Sequence, residues 1–509
     1  MIGEIILKEI KLKIFDLRFI ISTLIVLLLV IFSVIVLSEK YQKEVDDYQI
    51  ALQNDKEKME AMVVYSFLEP NLRYPPNPLS IFNTGISDRI NKTVAIKYNS
   101  VPRQNPEIIS ENPLLKIYSH FDLITVFRLV LSLLAIILIY DSFSGEKEAG
   151  TLKLMLSNGV KRSHILVAKL TSNTIILIIP VIFSFLISLV IITGIYGVAF
   201  PGIQWIRIGL IILYTIVFLS FFIALGLLVS SMTVNSSVSL ILLTSLWVML
   251  CVIQPNLGSY IASTVINMPS NETLETAYKE NWNEFSKKQQ EILEQINRKI
   301  PSGIQNGNMG TYGDEYKFVV FDGSTPLLMK YLYRVLEIEP LRHEYAEKEW
   351  DIYRQMYLPS LEKQHQVQNY IDYLSPAALF QSVTASIAQT DVTHYDQFLN
   401  SARTYRSTLM HYLKNDKKLF SENAHEYFTN LSKEEIENSQ YEARQRANTT
   451  HGYFNTPPLD LSGLPVFSFQ QDFLSGIFTR VFINFFLLLV YIVTLSMLAA
   501  ARMKKYDVR

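Results

Sequence analysis

The residues from Ile208 to Ser230 read IGLIILYTIVFLSFFIALGLLVS, a stretch with no Lys, Arg, Asp or Glu and with apolar side chains around its whole helical circumference. A helix crosses the ~30 Å hydrocarbon core of a bilayer in about 20 residues, so this stretch is long enough to span. Working outward, apolar runs of similar length occur at 19–37, 123–140, 174–195, 208–230, 238–253 and 477–500. With flanking turns the spans are taken as 19–37, 123–140, 168–195, 206–230, 236–254 and 477–500. The fifth is near the lower length limit, ends at Gln254-Pro255 and is open to being partly re-entrant. The first is too long for the apolar core of a signal peptide and continues into the charged Glu39-Lys40-Tyr41-Gln42, so it reads as a retained anchor. The expected fold class is an all-α polytopic membrane protein with six transmembrane helices.

Composition agrees with that reading. Of 509 residues, 49% are hydrophobic and only 18% charged, below the roughly 25% of soluble domains. A net charge of -1, from 46 Lys+Arg and 47 Asp+Glu, lacks the basic excess of a nucleic-acid binder. The single cysteine, Cys251, excludes a disulfide framework and a Cys-based zinc site. Basic residues gather beside alternate span ends: Lys8, Lys11, Lys13 and Arg18, then Lys147, Lys153, Lys161 and Arg162, then Arg502, Lys504, Lys505 and Arg509. Such residues are held on the cytoplasmic side, which makes both termini cytoplasmic, residues 1–18 an amphipathic entry helix and 501–509 a tail.

Two extracytoplasmic regions follow, a first outer loop at 38–122 and a large, mainly helical domain at 255–476. Helix-like spacing marks 272–299, 341–368 and 395–420, while Tyr316 to Phe321 is strand-like. Pro301 to Gly313, Tyr74-Pro75-Pro76-Asn77-Pro78 and Thr456-Pro457-Pro458 read as loops and turns.

Between spans two and three lies a cytoplasmic loop, 141–167, containing Glu146-Lys147-Glu148-Ala149-Gly150-Thr151-Leu152 and, after an Asn158-Gly159 turn, Lys161-Arg162. It is expected to lie along the interface, with Leu152, Met155 and Leu156 toward the bilayer or bundle and Glu146 and Glu148 available to a cytoplasmic partner. This loop resembles that of the permease subunits of ABC type-2 exporters, whose pattern is Glu-x-Glu-x-Gly-Thr-Leu followed by a basic pair. Leu7-Lys8-Glu9-Ile10 through Asp16-Leu17-Arg18-Phe19 is similar to the family's entry helix, and Leu225-Gly226-Leu227-Leu228-Val229-Ser230-Ser231 to the end of its fourth span. Leu374-Ser375-Pro376-Ala377-Ala378-Leu379 with Ile387-Ala388-Gln389-Thr390-Asp391 resembles a branch with a large outer insertion between spans five and six, the multi-copper enzyme maturation permease-like branch. There Gln389 stands where glycine is expected.

The resemblance implies a permease of the cell (inner) membrane that exports or extracts a substrate, paired with a second permease, identical or not. A cytoplasmic ABC ATPase dimer would couple through Glu146, Glu148, Gly150, Thr151, Leu152, Lys161, Arg162 and Glu9. No Gly-x4-Gly-Lys-Ser/Thr phosphate loop occurs, so ATP is expected on that partner, with no cofactor and no catalytic residue of this chain's own. Two other readings stay open: a mechanotransmission subunit that drives an outer protein partner without solute passage, and a non-ABC receptor or scaffold.

Three arginines, Arg128, Arg207 and Arg480, sit near the outer ends of inward-running spans, against the local charge trend. Either they snorkel to lipid or pair with carboxylates, or they line an outward-facing vestibule for an anionic group. His343, His365, His394, His411, His425 and His451 lie in the outer domain; His343 and Glu347, at i,i+4, are the one pair placed to share an ion, and the default is that they bind no metal. Asn173 and Asn484 are candidates for hydrogen bonds between helices, and Pro180 for a kink in span three.

Overall fold

The computed structural model describes residues 2–60, 65, 68–102, 121–158, 160–299, 310–312, 318–320, 325–417, 419, 460–469 and 474–504. Among the described residues six helices are long and apolar enough to cross a membrane: Leu17–Glu60, Leu123–Glu148, Arg162–Ile195, Gly202–Met232, Ser236–Ile253 and Val481–Lys504, spans one to six. Together with the sparse sheet they make the chain an all-α polytopic membrane protein. Helix α1 (Ile2–Ile14) precedes span one, α2 (Thr151–Ser157) lies in the loop between spans two and three, and α3 (Gln254–Val265) follows span five. Between α3 and span six come α4 (Asn271–Lys299), α5 (Thr325–Met356), α6 (Leu358–Asp372), α7 (Pro376–Ala388) and α8 (Val392–His411). Two antiparallel ribbons complete the description, β1 (Asn71–Arg73) with β2 (Thr93–Ala95) and β3 (Gly310–Tyr312) with β4 (Phe318–Val320).

Span four is the centre of the bundle, touching spans two, three, five and six. A helix apolar on every side belongs in an interior, and Phe218, Phe222, Ile223 and Ala224 are fully buried there. Gly226 is required by close approach: a Cβ at that position would stand 2.0 Å from the Ile139 Cγ2 of span two. Span two is as deeply buried as span four, and span one buries a single stripe. In span one Val26, Val30 and Val34 face inward at helical spacing, while Ile21, Leu24, Leu28 and Phe32 are exposed. Large apolar side chains laid bare along one helix face are stable only against lipid or protein.

The expected end of span five at Gln254-Pro255 is not where the helix stops. A wide π-turn, Val248–Ile253, leads directly into α3, with Pro255 in its first turn. In that register the proline nitrogen, which has no hydrogen, falls opposite the Leu250 carbonyl. The Ser375 hydroxyl donates to that oxygen instead, at 3.0 Å.

Ser375 begins the segment that sits deepest in the bundle. It caps α7 by accepting from Ala378 N, and Phe380 stacks on Phe218 of span four at 4.2 Å between centroids and 8° between planes. Phe218 is about 24 Å along the helix from Gly202, whereas the other end of α7 meets span four at Arg207. Helix α7 is thus a wedge inserted into the bundle, packed against spans two, four, five and six. At its exit Gln389 takes φ 59°, the left-handed conformation that favours glycine.

The predicted helices at 272–299, 341–368 and 395–420 appear as α4, α5 with α6, and α8 with a π-turn at Tyr412–Asp416. Within the strand-like run, Phe318–Val320 is β4; Gly310–Tyr312 is a strand where a loop was expected. The regions 38–122 and 255–476 are not separate bodies, because Leu68, Leu72, Tyr74 and Ile96 share one core with Tyr395, Phe398 and Leu409 of α8.

Overpacking a filled contact typically costs ~1–3 kcal/mol. Gly226→Val should therefore lower the unfolding midpoint of the purified chain by several degrees, while Gly209→Ala, which has open space around it, should leave it unchanged.

Candidate functional site

The motif loop folds as two short helices, Ser144–Glu148 and α2, joined at Gly150 in the left-handed conformation, φ 70°. An added Cβ there meets nothing within 4 Å, so glycine is needed for the backbone turn and not for room. Leu152 is buried, and Met155 and Leu156 pack on the main core.

The loop is fastened to the ends of spans four and five. Ser230 Oγ accepts from Phe143 N at 2.9 Å and Ser144 N at 3.0 Å, and Lys147 Nζ donates to the carbonyls of Ser231 and Thr233. Glu148 accepts from Ser236 N at 3.0 Å and Ser236 Oγ at 2.8 Å, supplying an acceptor in the first turn of span five. Arg162 Nη1 donates to the Lys504 carbonyl at the end of span six, and Lys161 precedes span three as its N-cap, exposed. Thr151 Oγ1 reaches the Glu146 carbonyl at 3.4 Å.

Glu146 turns inward. Its carboxylate meets Lys169 Nζ of span three at 2.7 Å, and the same ammonium meets Glu9 of α1 at 2.9 Å. The Lys169 side chain is only 3% exposed. Beside it Lys13 Nζ donates to Asn173 Oδ1 at 2.7 Å, to Ser142 Oγ at 3.3 Å and to the Leu138 carbonyl, so α1 is held to spans two and three as well. Burial pushes the Lys13 ammonium down to about 8 against the pull of Glu9. Burial alone would raise Glu9, but the Lys169 charge and hydrogen bond, together with the charges of Lys13 and Lys8, hold the carboxyl below its ordinary value.

Among the predicted residues, then, Glu9, Glu146, Glu148, Gly150, Thr151, Leu152 and Arg162 are gathered at one end of the bundle. Glu146 faces an internal lysine, and Glu148, on the surface, is engaged by Ser236. What this end leaves bare is apolar and basic: Leu7, Leu12, Phe15 and Leu154, each at least 60% exposed, with Lys8, Lys11 and Lys153 among them. Sequence reasoning missed Lys13, Lys169, Ser230 and Ser236. A signal for Lys169 was present, since a lysine within a span needs a partner.

Two of the three arginines converge on α7. Arg128 donates to the Gln381 side chain, and the buried Arg207 donates to the Ile387 carbonyl at 2.8 Å. Arg480 lies in the helix leading into span six, and its side chain is outside the described residues. Asn173 does bond between helices, to Lys13. His343 Nδ1 lies 2.8 Å from the Tyr98 carbonyl, and Glu347 pairs with Arg406. His425 and His451 lie outside the described residues.

Residues 4–508 match the family model described as ABC-2 family transporter protein. The chain belongs to that family and is a multi-pass membrane transport subunit. A search of the curated proteins found no match.

Breaking a buried ion pair from one side costs about 3–5 kcal/mol. Lys169→Met should destabilise the purified chain by that order, and adding Glu9→Gln with Glu146→Gln should recover most of the loss. Unfolding losses that simply add would show that the three groups do not act together. Because Glu9 is held below its ordinary value, its contribution is in place above the usual carboxylate range and is lost as pH falls below that range through the lowered value. The acid limb of a thermal-stability profile should flatten in Glu9→Gln.

Proposed function

We propose that this chain is the membrane half of an ATP-driven exporter: a cytoplasmic ABC ATPase dimer binds the end formed by α1 and residues 141–162, and two permeases, identical or not, pair in the cell membrane with their termini in the cytoplasm. ATP binds the partner. The exposed Leu7, Leu12, Phe15 and Leu154 give that partner an apolar seat, and the basic side chains around them supply charge. The observation that carries this reading is the single Lys169 ammonium shared by Glu9 and Glu146. A push on either α1 or the loop reaches span three through that ammonium, and it reaches spans four and five through Lys147 and Glu148. Movement of spans four and five would shift α7 and, with Arg128 and Arg207, reshape a vestibule around it; Arg480 is assigned to the same vestibule. The position of α7 between spans five and six also supports placing the chain in the branch with the large outer insertion.

A specific observation favours the second reading, in which the chain drives an outer protein partner without passing a solute. The space between spans three and four, lined by Leu177, Ile216, Leu219 and Ile223, has no room for water, and α7 fills the gap among spans two, four, five and six. A roomy cavity among the described residues, about 190 Å³, lies beyond the apolar part of span one, beside Glu44, Tyr48 and Arg73.

Glu146→Gln with Glu148→Gln, which leaves Glu9 on Lys169, should keep the ATPase bound, yet abolish stimulation of ATP turnover by the permease. Co-purification and turnover are measured on the same membranes; normal stimulation would remove the coupling role. Replacing Arg128, Arg207 and Arg480 with Gln should reduce transport of an anionic substrate several-fold if the chain is a conduit, whereas a chain that only transmits motion should show no such transport before or after the change.

A further inference from the structure

Helices α3 and α6 run antiparallel, with Gln254 Nε2 donating to the Ile371 carbonyl at 2.8 Å and Gln364 Nε2 to the Ile266 carbonyl at 2.8 Å. Between these two bonds the helices approach so closely that a Cβ on Gly258 would stand 2.5 Å from Asp372 Oδ1. This contact holds two buried oxygens without a hydrogen-bond partner, Gln254 Oε1 and Asp372 Oδ1. Gln254 is only 9% exposed.

Among the described residues no cation is paired with the carboxyl. Helix α3, the π-turn before it and α7 carry no charged residue. On α6 itself Glu362 and Lys363 are exposed and more than two turns away, His365 lies on the same face about 10 Å along the helix, and Gln368 is the group that bonds to Asp372. On α5, the preceding helix, Arg354 pairs with Asp351 at 2.9 Å. From span six the Tyr491 hydroxyl donates to the Tyr373 carbonyl. A bare carboxylate in such a place is costly. An acceptor oxygen buried against Gly258 with no donor to meet it calls for a hydrogen.

We infer that Asp372 is a proton-binding site: its carboxyl is held as the neutral acid while α6 is seated on α3, and it releases that proton to water as the contact loosens. The seating of α6, and of the α7 wedge that follows it, therefore tracks the pH on the side that bathes α3 and α6. Burial raises this carboxyl from 3.8 to about 6. With the seated value raised, seating is fully favoured below the ordinary carboxylate range and is lost as pH rises through about 6. The seating equilibrium then changes on the order of 100-fold across that range.

The test uses the full chain in lipid nanodiscs. A carbonyl-stretch infrared band from a protonated carboxyl should fade with a midpoint near pH 6 in the native protein and be missing in Asp372→Asn. Spin labels at Tyr260→Cys and Asn369→Cys, with Cys251→Ala removing the one native thiol, should report a short α3–α6 distance at low pH that lengthens through the same midpoint. Asp372→Asn should keep the short distance at every pH, and Gly258→Ala, which evicts the carboxyl, should keep the long one. A midpoint in the ordinary carboxylate range, or a band that survives in Asp372→Asn, overturns the inference. So does a midpoint that moves when sodium is exchanged for choline, which would make the site one for a metal cation. The native titration alone is decisive if a variant fails to fold.

Discussion

An ammonium taken out of water must be met by opposite charge, or its side chain will not stay buried. In this protein the constraint falls on Lys169, and two carboxylates from different parts of the chain meet it, one on α1 and one in the loop between spans two and three. Neither element has enough apolar surface to fix its position alone: α1 buries no residue completely and α2 buries only Leu152. Their placement against span three follows from a charge that has to be satisfied. Asn173, one turn beyond Lys169 on the same face, extends the constraint to Lys13 and so to the end of span two.

The membrane part was legible because lipid-crossing helices announce themselves by length and hydropathy, which need no knowledge of neighbours. Which span lies at the centre was not, since span one is more apolar than span four and yet is mostly exposed. Nor was the direction of Glu146. On a short helix between two spans, a glutamate pointing to water and one pointing to a buried lysine look alike, and the lysine is remote in sequence. Span five was read as ending at Pro255 because proline usually stops a helix. The π-turn and the Ser375 hydroxyl, more than a hundred residues away, remove that reason.

The same limit explains α7. Its sequence, PAALFQSVTASIA, is apolar but too short to span, and periodicity cannot distinguish a wedge inside a bundle from a helix in a water-soluble core. What betrays it is chemistry at its ends. Ser375 serves two backbone partners, Ala378 N and the Leu250 carbonyl. Gln389, in a conformation that resists side chains, is held where its carbonyl meets the Tyr74 hydroxyl. The shared core between 68–96 and α8 was beyond reach for a simpler reason, since nothing local records which distant segments meet.

Span five and α3 form a single helical rod from Ser236 to Val265, with its first turn gripped by Glu148 and its far portion clasped by α6. Such a rod is about 45 Å long. Rotating it by about 5° about Ser236 carries Val265 sideways by about 4 Å, nearly the rise of a helical turn. A displacement too small to disturb packing at the loop is thus magnified at the opposite end by leverage alone, and the π-turn at Val248–Ile253 sets how stiff that lever is.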